Sequence, residues 1–158
     1  MLNLAERWVV SLPSSSDIIL PYAAEAAWLT GKWDVLDQLL SSKPGDMSQN
    51  FDIGIGKALL ALRNADKDSF ESGISNLRAI IMRNLSLATT TSLASAHGHL
   101  LKLHALYEVA AIGGLGSMQV DRSKLFEQLD RRLELLGVFT DDKQYLLGLR
   151  RACMQLSG

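Results

Sequence analysis

Proline and cysteine are scarce in this 158-residue chain, and each scarcity excludes a class of structure. The three prolines, Pro13, Pro21 and Pro44, lie in the first third, so the remainder is free of this helix breaker and permits long helices. Cys153 is the only cysteine, which excludes an internal disulfide and favours a reducing compartment. In the apolar helix pattern LRRACMQL, we interpret it as a packed small side chain rather than a nucleophile.

The sequence also lacks an excess of either charge and any long apolar run. Its 16 Lys and Arg and 17 Asp and Glu give a formal charge of -1, which predicts no direct nucleic-acid partner. Apolar runs break before the roughly 18 residues of a membrane span, and MLNLAERWVV lacks the pattern of a secretory signal. With 47% apolar content we expect a soluble chain with one substantial core, in the nucleus or cytosol, without a membrane partner.

Strand signals are weak, because no alternating β-branched runs bounded by tight turns occur. Apolar residues recur instead at spacings of three and four, which is typical of one face of a helix. After a short helical segment at Asn3–Val10, this pattern predicts about seven helices. They are marked by Pro21, Trp33, Gln49, Phe70, Leu93, Leu125 and Tyr145. We therefore predict an all-α fold.

Two turns suggest an internal repeat. Gly31 and Ala65 are 34 residues apart, and each precedes a charge and then the first apolar residue of a helix, which is the tetratricopeptide period. Helix pairs of this kind stack, because each covers a face that its neighbour cannot bury alone. The prediction is a set of antiparallel hairpins stacked as a tetratricopeptide-like α-solenoid, with residues 1–158 forming a single helical-repeat segment.

The stretch FDIGIGKALLALR contains a Gly-x-Gly-Lys that invites comparison with a phosphate-binding loop. Such a loop needs Gly-x-x-x-x-Gly-Lys followed by Ser or Thr, whereas Lys57 is followed by Ala58. The surrounding apolar residues have helical spacing. We therefore expect Gly54 and Gly56 to lie in a helix, where each costs about 1 kcal/mol relative to alanine, and to let a neighbouring helix approach closely.

Candidate catalytic and metal-binding side chains do not converge. His97 and His104 share a helix face, but we expect no carboxylate within a turn of them there, and zinc needs three or four ligands. No Gly-x-Ser-x-Gly elbow surrounds the Ser-rich and Thr-rich runs. Glu127, Asp130 and Glu134 are expected on a polar helix face with Arg131 and Arg132, where spacings of three or four suit surface ion pairs. The residues alone predict a helical interaction or support module without its own active site.

Several residues are expected to fix helix packing and turns. The tryptophans are interpreted as packing anchors at hairpin seams, or as a partner-facing hot spot where they are exposed. The structural set is Trp28, Gly31, Trp33, Leu36, Gly54, Gly56, Phe70, Leu103, His104 and Tyr107.

Four stretches carry a family resemblance, in the order YAAEAAWLTGKWDVLDQLL, FDIGIGKALLALRNADKDSFESGISNLRAII, HLLKLHALYEV and YLLGLRRACMQL. They contain a Trp-Asp after a small-residue turn, a Gly-x-x-Leu-Leu, a Leu-His-x-Leu-x-Glu and a Leu-x-Leu-Arg-Arg-Ala. This succession, from about Pro21 to Leu156, resembles the FAT domain of ATR-type checkpoint kinases, members of the phosphatidylinositol 3-kinase-related family. The segment AAIGGLGSMQVDRSKLFEQL departs from the pattern by its glycines.

The resemblance implies a non-catalytic scaffold segment of a nuclear serine/threonine kinase that phosphorylates Ser/Thr-Gln sites in DNA-damage signalling. The chain has no Asp-Phe-Gly and no His-Arg-Asp loop, so the catalytic residues would lie elsewhere in a longer parent. This chain would bind no cofactor, while the parent would use ATP and magnesium. The implied partners are the kinase domain and neighbouring repeats, a regulatory subunit and a second protomer. The alternative is a free-standing tetratricopeptide-like adaptor.

Overall fold

The computed structural model describes residues 16–41, 50–88, 93–114, 121–137 and 139–157. Its helices are α1 (Ser16–Leu29), α2 (Trp33–Ser41), α3 (Phe51–Arg63), α4 (Lys67–Ala88), α5 (Leu93–Gly113), α6 (Arg122–Glu134) and α7 (Thr140–Ser157). No strand occurs in these ranges, and none of these helices is long and apolar enough to cross a membrane. The predicted all-α, solenoid-like fold class is therefore confirmed. The predicted helix at Asn3–Val10 lies outside the described residues.

The chain divides into two compact units. The N-terminal unit is Met1–Leu77 and the C-terminal unit is Arg78–Gly158, so the boundary falls inside α4. A single segment over residues 1–158 stays a prediction.

In the N-terminal unit, α1 packs against both α2 and α3, and α2 packs against α3. Small residues on α1 permit this close packing, since Ala23, Ala24 and Ala27 are almost completely buried. Trp28 on the same helix is 1% exposed, and Leu36 on α2 is 0% exposed. The predicted hairpin of α1 and α2 is thus packed through an alanine face with one large aromatic anchor.

The turn after α1 is closed by a left-handed residue. Gly31 has a φ of 69°. The amide of Lys32 donates to the carbonyl of Ala27 at 2.9 Å, and the amide of Gly31 donates to the carbonyl of Trp28 at 3.3 Å. These bonds satisfy carbonyls that the helix end leaves without partners, and glycine adopts the required φ without steric cost.

The turn after α3 has the same pattern around Ala65. Its φ is 55°, the amide of Asp66 donates to Ala61 at 2.9 Å, and the amide of Ala65 donates to Leu62 at 3.2 Å. A residue with a side chain thus occupies the position that glycine fills at Gly31. The two turns paired from the sequence have equivalent geometry, and Ala65 is strained because left-handed backbone is unfavourable for alanine.

Polar side chains begin three of the helices. Asn50 Oδ1 accepts from the amides of Asp52 and Ile53 at 3.0 and 3.3 Å at the start of α3. Asp66 accepts from the amide of Ser69 at 3.1 Å before α4, and hydrogen bonds from the side chain and backbone of Ser69 lower the pKa of Asp66. The Asp121 side chain likewise accepts from the amide of Ser123 at the start of α6. These caps satisfy amides that have no partner inside the helix.

In the C-terminal unit, α5 packs against α7. The buried face of α5 carries Leu106, Val109 and Ile112, all 0% exposed. On α7 the matching residues are Leu146 and Leu149, also 0% exposed. Leu129 contributes the buried anchor of α6. This apolar core surrounds a group of charged side chains that the sequence did not predict to be buried.

Candidate functional site

The most concentrated polar chemistry in the C-terminal unit is a buried ion network that joins three helices. Glu108 on α5 is 1% exposed and Arg150 on α7 is 7% exposed. Arg150 Nε donates to Glu108 Oε2 and its second terminal nitrogen donates to Glu108 Oε1, both at 3.0 Å. Its other terminal nitrogen donates to Asp130 Oδ1 on α6 at 2.5 Å. One guanidinium therefore ties α5, α6 and α7 together.

The geometry accounts for the electrostatics of the network. Burial alone would lower the pKa of Arg150, but hydrogen bonds and charge from Glu108 and Asp130 outweigh it and raise that pKa. A bidentate guanidinium–carboxylate pair fixes orientation as well as charge. Cys153, one turn after Arg150 on α7, is 0% exposed, and burial, with a smaller contribution from the Glu108 charge, raises its pKa to about 12. Its thiol is therefore neutral and shielded, as expected for a packing residue.

His104 extends the network on the α5 side. Its Nε2 lies 3.2 Å from Glu108 Oε1, one helical turn further along. The expectation that no carboxylate lies within a turn of His104 was therefore wrong, because Glu108 occupies the i+4 position. His97 also has an acidic partner, since its Nε2 lies 2.9 Å from Asp142 Oδ2 on α7. In that case the partner comes from a helix far away in the sequence.

Neither histidine pair gathers the ligands of a metal centre. Within the ranges that the structure describes, no group of three or more His, Cys, Asp and Glu side chains could hold a metal ion. The His97 ring instead packs on Phe139, with centroids 5.0 Å apart and planes tilted by 45°. The Asp142 contact and this ring contact join the first part of α5 to the beginning of α7.

A cation–π contact makes a further link between α5 and α6. The Arg132 guanidinium carbon lies 3.9 Å from the centroid of the Tyr107 ring. Such contacts contribute about 0.5–1 kcal/mol at exposed sites. Of the surface pairs predicted along α6, Arg131 with Glu127 is present, with 2.5 Å between Nη2 and Oε1. Asp130 turns away from its own helix and pairs with Arg150 instead.

The two glycines of the Gly-x-Gly-Lys stretch, Gly54 and Gly56, lie against side chains of two different helices. A Cβ built on Gly54 would overlap Leu77 Cδ2 and lie 3.0 Å from Leu77 Cγ on α4. A Cβ on Gly56 would lie 3.2 Å from Leu40 Cδ1 and 3.3 Å from Leu36 Cδ1 on α2. Both glycines lie inside α3, so Gly-x-Gly-Lys is a helical segment flanked by side chains of α4 and α2.

The other predicted structural residues are distributed between the two units. In the N-terminal unit Trp28, Leu36 and Phe70 are buried, whereas Trp33, the first residue of α2, is half-buried. In the C-terminal unit Leu103, His104 and Tyr107 share α5 and are each half-buried. The structure brings Leu36 against Gly56, and places His104 and Tyr107 beside the charged and aromatic links described above.

Sequence reasoning missed the pairing of Arg150 with the buried Glu108 and with the exposed Asp130. The signal was present but ambiguous: Glu108 lies amid the apolar residues of LHALYEV, and Arg150 follows Leu149 on the apolar side of α7. A charge at a position where periodicity places core residues indicates a buried pair. The residues that meet are 42 positions apart, so spacing alone did not identify the partner.

In the N-terminal unit, Glu25 on α1 is a half-buried carboxylate. Burial and the negative charge of Asp52 raise the pKa of Glu25.

Chemically, the network around Arg150 can hold helices in register, but its groups contact one another rather than opening to a substrate.

Comparison of the sequence with known proteins found similar segments in two plant kinases. Over 177 residues the chain is 26% identical to the serine/threonine-protein kinase ATR of Arabidopsis thaliana, covering 100% of this chain and 7% of that protein. The protein of the same name from Oryza sativa subsp. indica is 25% identical over 122 residues, covering 73% and 4% respectively. The chain thus spans a small fraction of these relatives. The family model of the FAT domain matches residues 20–158. The resemblance identified from the sequence is confirmed, and the chain belongs to the FAT-domain family.

Proposed function

We propose that this chain is a non-catalytic helical scaffold segment of an ATR-like checkpoint kinase, which supports and regulates the kinase domain. The main support for this proposal is the FAT-family match across residues 20–158. The buried network is consistent with it, because Glu108, Asp130 and Arg150 serve to hold helices together. A scaffold requires such contacts, whereas catalysis requires polar groups that reach a substrate.

The parent protein supplies the chemistry in this proposal. It would bind ATP and magnesium outside this chain and phosphorylate Ser or Thr followed by Gln in nuclear DNA-damage signalling. The partners of the chain would be the kinase domain, neighbouring helical repeats, a regulatory subunit and a second protomer. The similarity to ATR kinases of two plants supports this assignment.

The physical basis is allosteric support. Packed helices with bidentate ion pairs resist local displacement, so a partner bound to one helix biases the position of the helices tied to it. Coupling of this kind between two sites typically amounts to about 1–3 kcal/mol. A segment of this type would therefore change kinase activity by up to about a hundredfold without contributing a catalytic group.

The test replaces Trp33 and Leu36 with asparagine in the full-length protein and measures phosphorylation of a Ser-Gln peptide. Leu36 contacts the Gly56 side of α3, so its polar replacement loosens the packing of α2 on α3. The matched control replaces the exposed Asp37 and Gln38 of the same helix with asparagine and leaves the Asp34–Arg63 pair intact. We expect at least a fivefold loss of activity in the first variant and less than a twofold change in the control. Equal activity of both variants would contradict the proposal.

A free-standing tetratricopeptide-like adaptor is the second candidate, favoured by the equivalent turns at Gly31 and Ala65. The mass of the native protein separates the two. An immunoblot of cells that detects only a product of the size of this chain would support the adaptor, whereas a much larger product would support the scaffold.

A further inference from the structure

The second half of α4 presents a face that combines positive charge with exposed apolar side chains. Two neighbouring rows at four-residue spacing form it, and all members are exposed. We call this the α4 outer face; it consists of Arg78, Met82 and Ser86 in one row and Ala79, Arg83 and Leu87 in the other. Met82 is 52% exposed and Leu87 is 66% exposed. The opposite side of α4 carries Phe70, Ile74, Leu77 and Ile81, which are buried.

Among the residues that the structure describes, no carboxylate neutralises the positive charge of this face. Neither Arg78 nor Arg83 forms an ion pair with any residue that the structure describes. The sequence also contains no Asp or Glu between Glu71 and Glu108. By contrast, Arg63, Arg131 and Arg150 all pair with carboxylates. Arg78 and Arg83 therefore differ from these three arginines in having no carboxylate partner among the described residues.

The two exposed apolar side chains, Met82 and Leu87, provide this face with anchors for a partner helix. Burying a methionine or leucine side chain contributes about 1.5–3 kcal/mol, so two of them on one helix face provide anchors for a second helix. Arg78 lies one turn before Met82, and Arg83 lies one turn before Leu87. Carboxylates beside the apolar residues of a docked helix would meet both arginines, and this complementarity would fix its register.

Nucleic acids and membrane surfaces, which also bind positive charge, fit the α4 outer face less well. Nucleic-acid surfaces carry extended sets of cations that neutralise several phosphates, whereas this face has two arginines in a chain of net charge -1. Membrane-surface helices carry a longer apolar face flanked by many basic residues. An acidic helix of a protein matches both the small number of cations and the apolar positions between them.

We propose that the α4 outer face binds an acidic amphipathic helix of a partner protein, through apolar contacts at Met82 and Leu87 and ion pairs at Arg78 and Arg83. The proposal goes beyond the scaffold function, because it concerns a surface of this chain that binds whether or not a kinase domain follows.

The test uses the full 158-residue chain and a fluorescein-labelled synthetic helix with leucines at three- and four-residue spacing, flanked by glutamates. A second peptide has glutamine at every glutamate position. Fluorescence anisotropy measures both affinities at low and high salt. We expect the glutamate peptide to bind more tightly than the glutamine peptide, and added salt to weaken only the former.

Charge reversal then locates the site. R78E/R83E is expected to weaken binding of the glutamate peptide by at least about tenfold, and the milder R78Q/R83Q by about threefold or more. The control K57E/R122E makes the same change in net charge at exposed positions on α3 and α6, and should alter the affinity by less than about twofold. M82S/L87S tests the apolar contribution and should weaken both peptides. Circular dichroism checks that each variant remains helical.

Three results would overturn the proposal. They are absence of binding by the glutamate peptide, equal effects of R78E/R83E and K57E/R122E, and binding of duplex DNA or phosphatidylserine vesicles with the same sensitivity to R78E/R83E. The last result would assign the face to nucleic acid or lipid instead of an acidic helix.

Discussion

Replacing Arg150 with methionine is expected to destabilise the C-terminal unit by about 3–5 kcal/mol, because it leaves a buried carboxylate without its guanidinium. The Glu108 side chain is 2% exposed, and within the part of the chain that the structure describes it would keep His104, 3.2 Å away, as its one hydrogen-bonding side chain. Methionine retains much of the apolar stem, so the main change is loss of the charge. Loss of the Asp130 contact adds up to about 1 kcal/mol, since that side chain is 67% exposed.

A double-mutant cycle separates this electrostatic cost from packing. In E108L/R150M both charges are replaced by apolar groups, so no buried charge remains uncompensated, and we expect this variant to be more stable than R150M alone. The control is R122M, at an exposed position of α6 in the same unit, and it should change stability by less than about 0.5 kcal/mol.

The single cysteine provides an assay specific to this unit. Cys153 is fully buried with a pKa raised to about 12, so a thiol reagent at pH 8 reacts only when the C-terminal unit opens. Trp28 and Trp33 lie in the N-terminal unit, and no tryptophan follows Trp33 in the sequence, so tryptophan fluorescence reports on that unit separately. When the C-terminal unit closes faster than the reagent labels the thiol, a loss of 3 kcal/mol in the free energy of unfolding corresponds to roughly a hundredfold faster reaction. Acceleration below tenfold in R150M, or faster labelling of E108L/R150M than of R150M, would refute this reasoning.

Further predictions concern glycine positions in the N-terminal unit and use tryptophan fluorescence during urea unfolding. Gly54→Ala should destabilise the unit by about 1–2 kcal/mol, because overlap with Leu77 outweighs the gain in helix propensity. Gly73→Ala should stabilise it by about 0.5–1 kcal/mol, because the added Cβ has room. The opposite order would show that the Leu77 side chain or helix α3 shifts to admit the added methyl group. Ala65→Gly should stabilise by about 0.5–1 kcal/mol and Gly31→Ala should destabilise by about 1 kcal/mol, since both positions have positive φ. A loss of stability in Ala65→Gly would contradict the strain assigned to that turn.

The sequence predicts those features that depend on neighbouring residues. The sequence predicts the helix marked by Gln49, and α3 begins at Phe51 in the structure, because the apolar spacing and the Asn50 cap are both local signals. The correspondence of Gly31 and Ala65 was likewise visible, although nothing in the sequence required an alanine to adopt a positive φ. That conformation follows from the hydrogen bonds of the turn.

The buried network could not be derived in the same way. Arg150 has an equally charged neighbour, Arg151, and periodicity places the two less than a third of a turn apart, so the pattern alone does not show which one points inward. Asp130 has two arginines following it on its own helix and pairs with neither. These choices depend on how α5, α6 and α7 approach one another, which is a property of tertiary packing.

Stability alone is a poor explanation for placing Glu108 and Arg150 inside the C-terminal unit. A buried ion pair is often matched or exceeded in stability by apolar residues of similar volume. Apolar faces of leucine and alanine, however, tolerate displacement along a helix axis, whereas a bidentate pair is satisfied in one register only. The third contact, with Asp130, extends that constraint to α6. A segment that transmits displacement between bound partners needs helices that move together. Fixed register therefore accounts for the charged network better than stability does, and E108L/R150M, if stable, would retain the fold while losing that constraint.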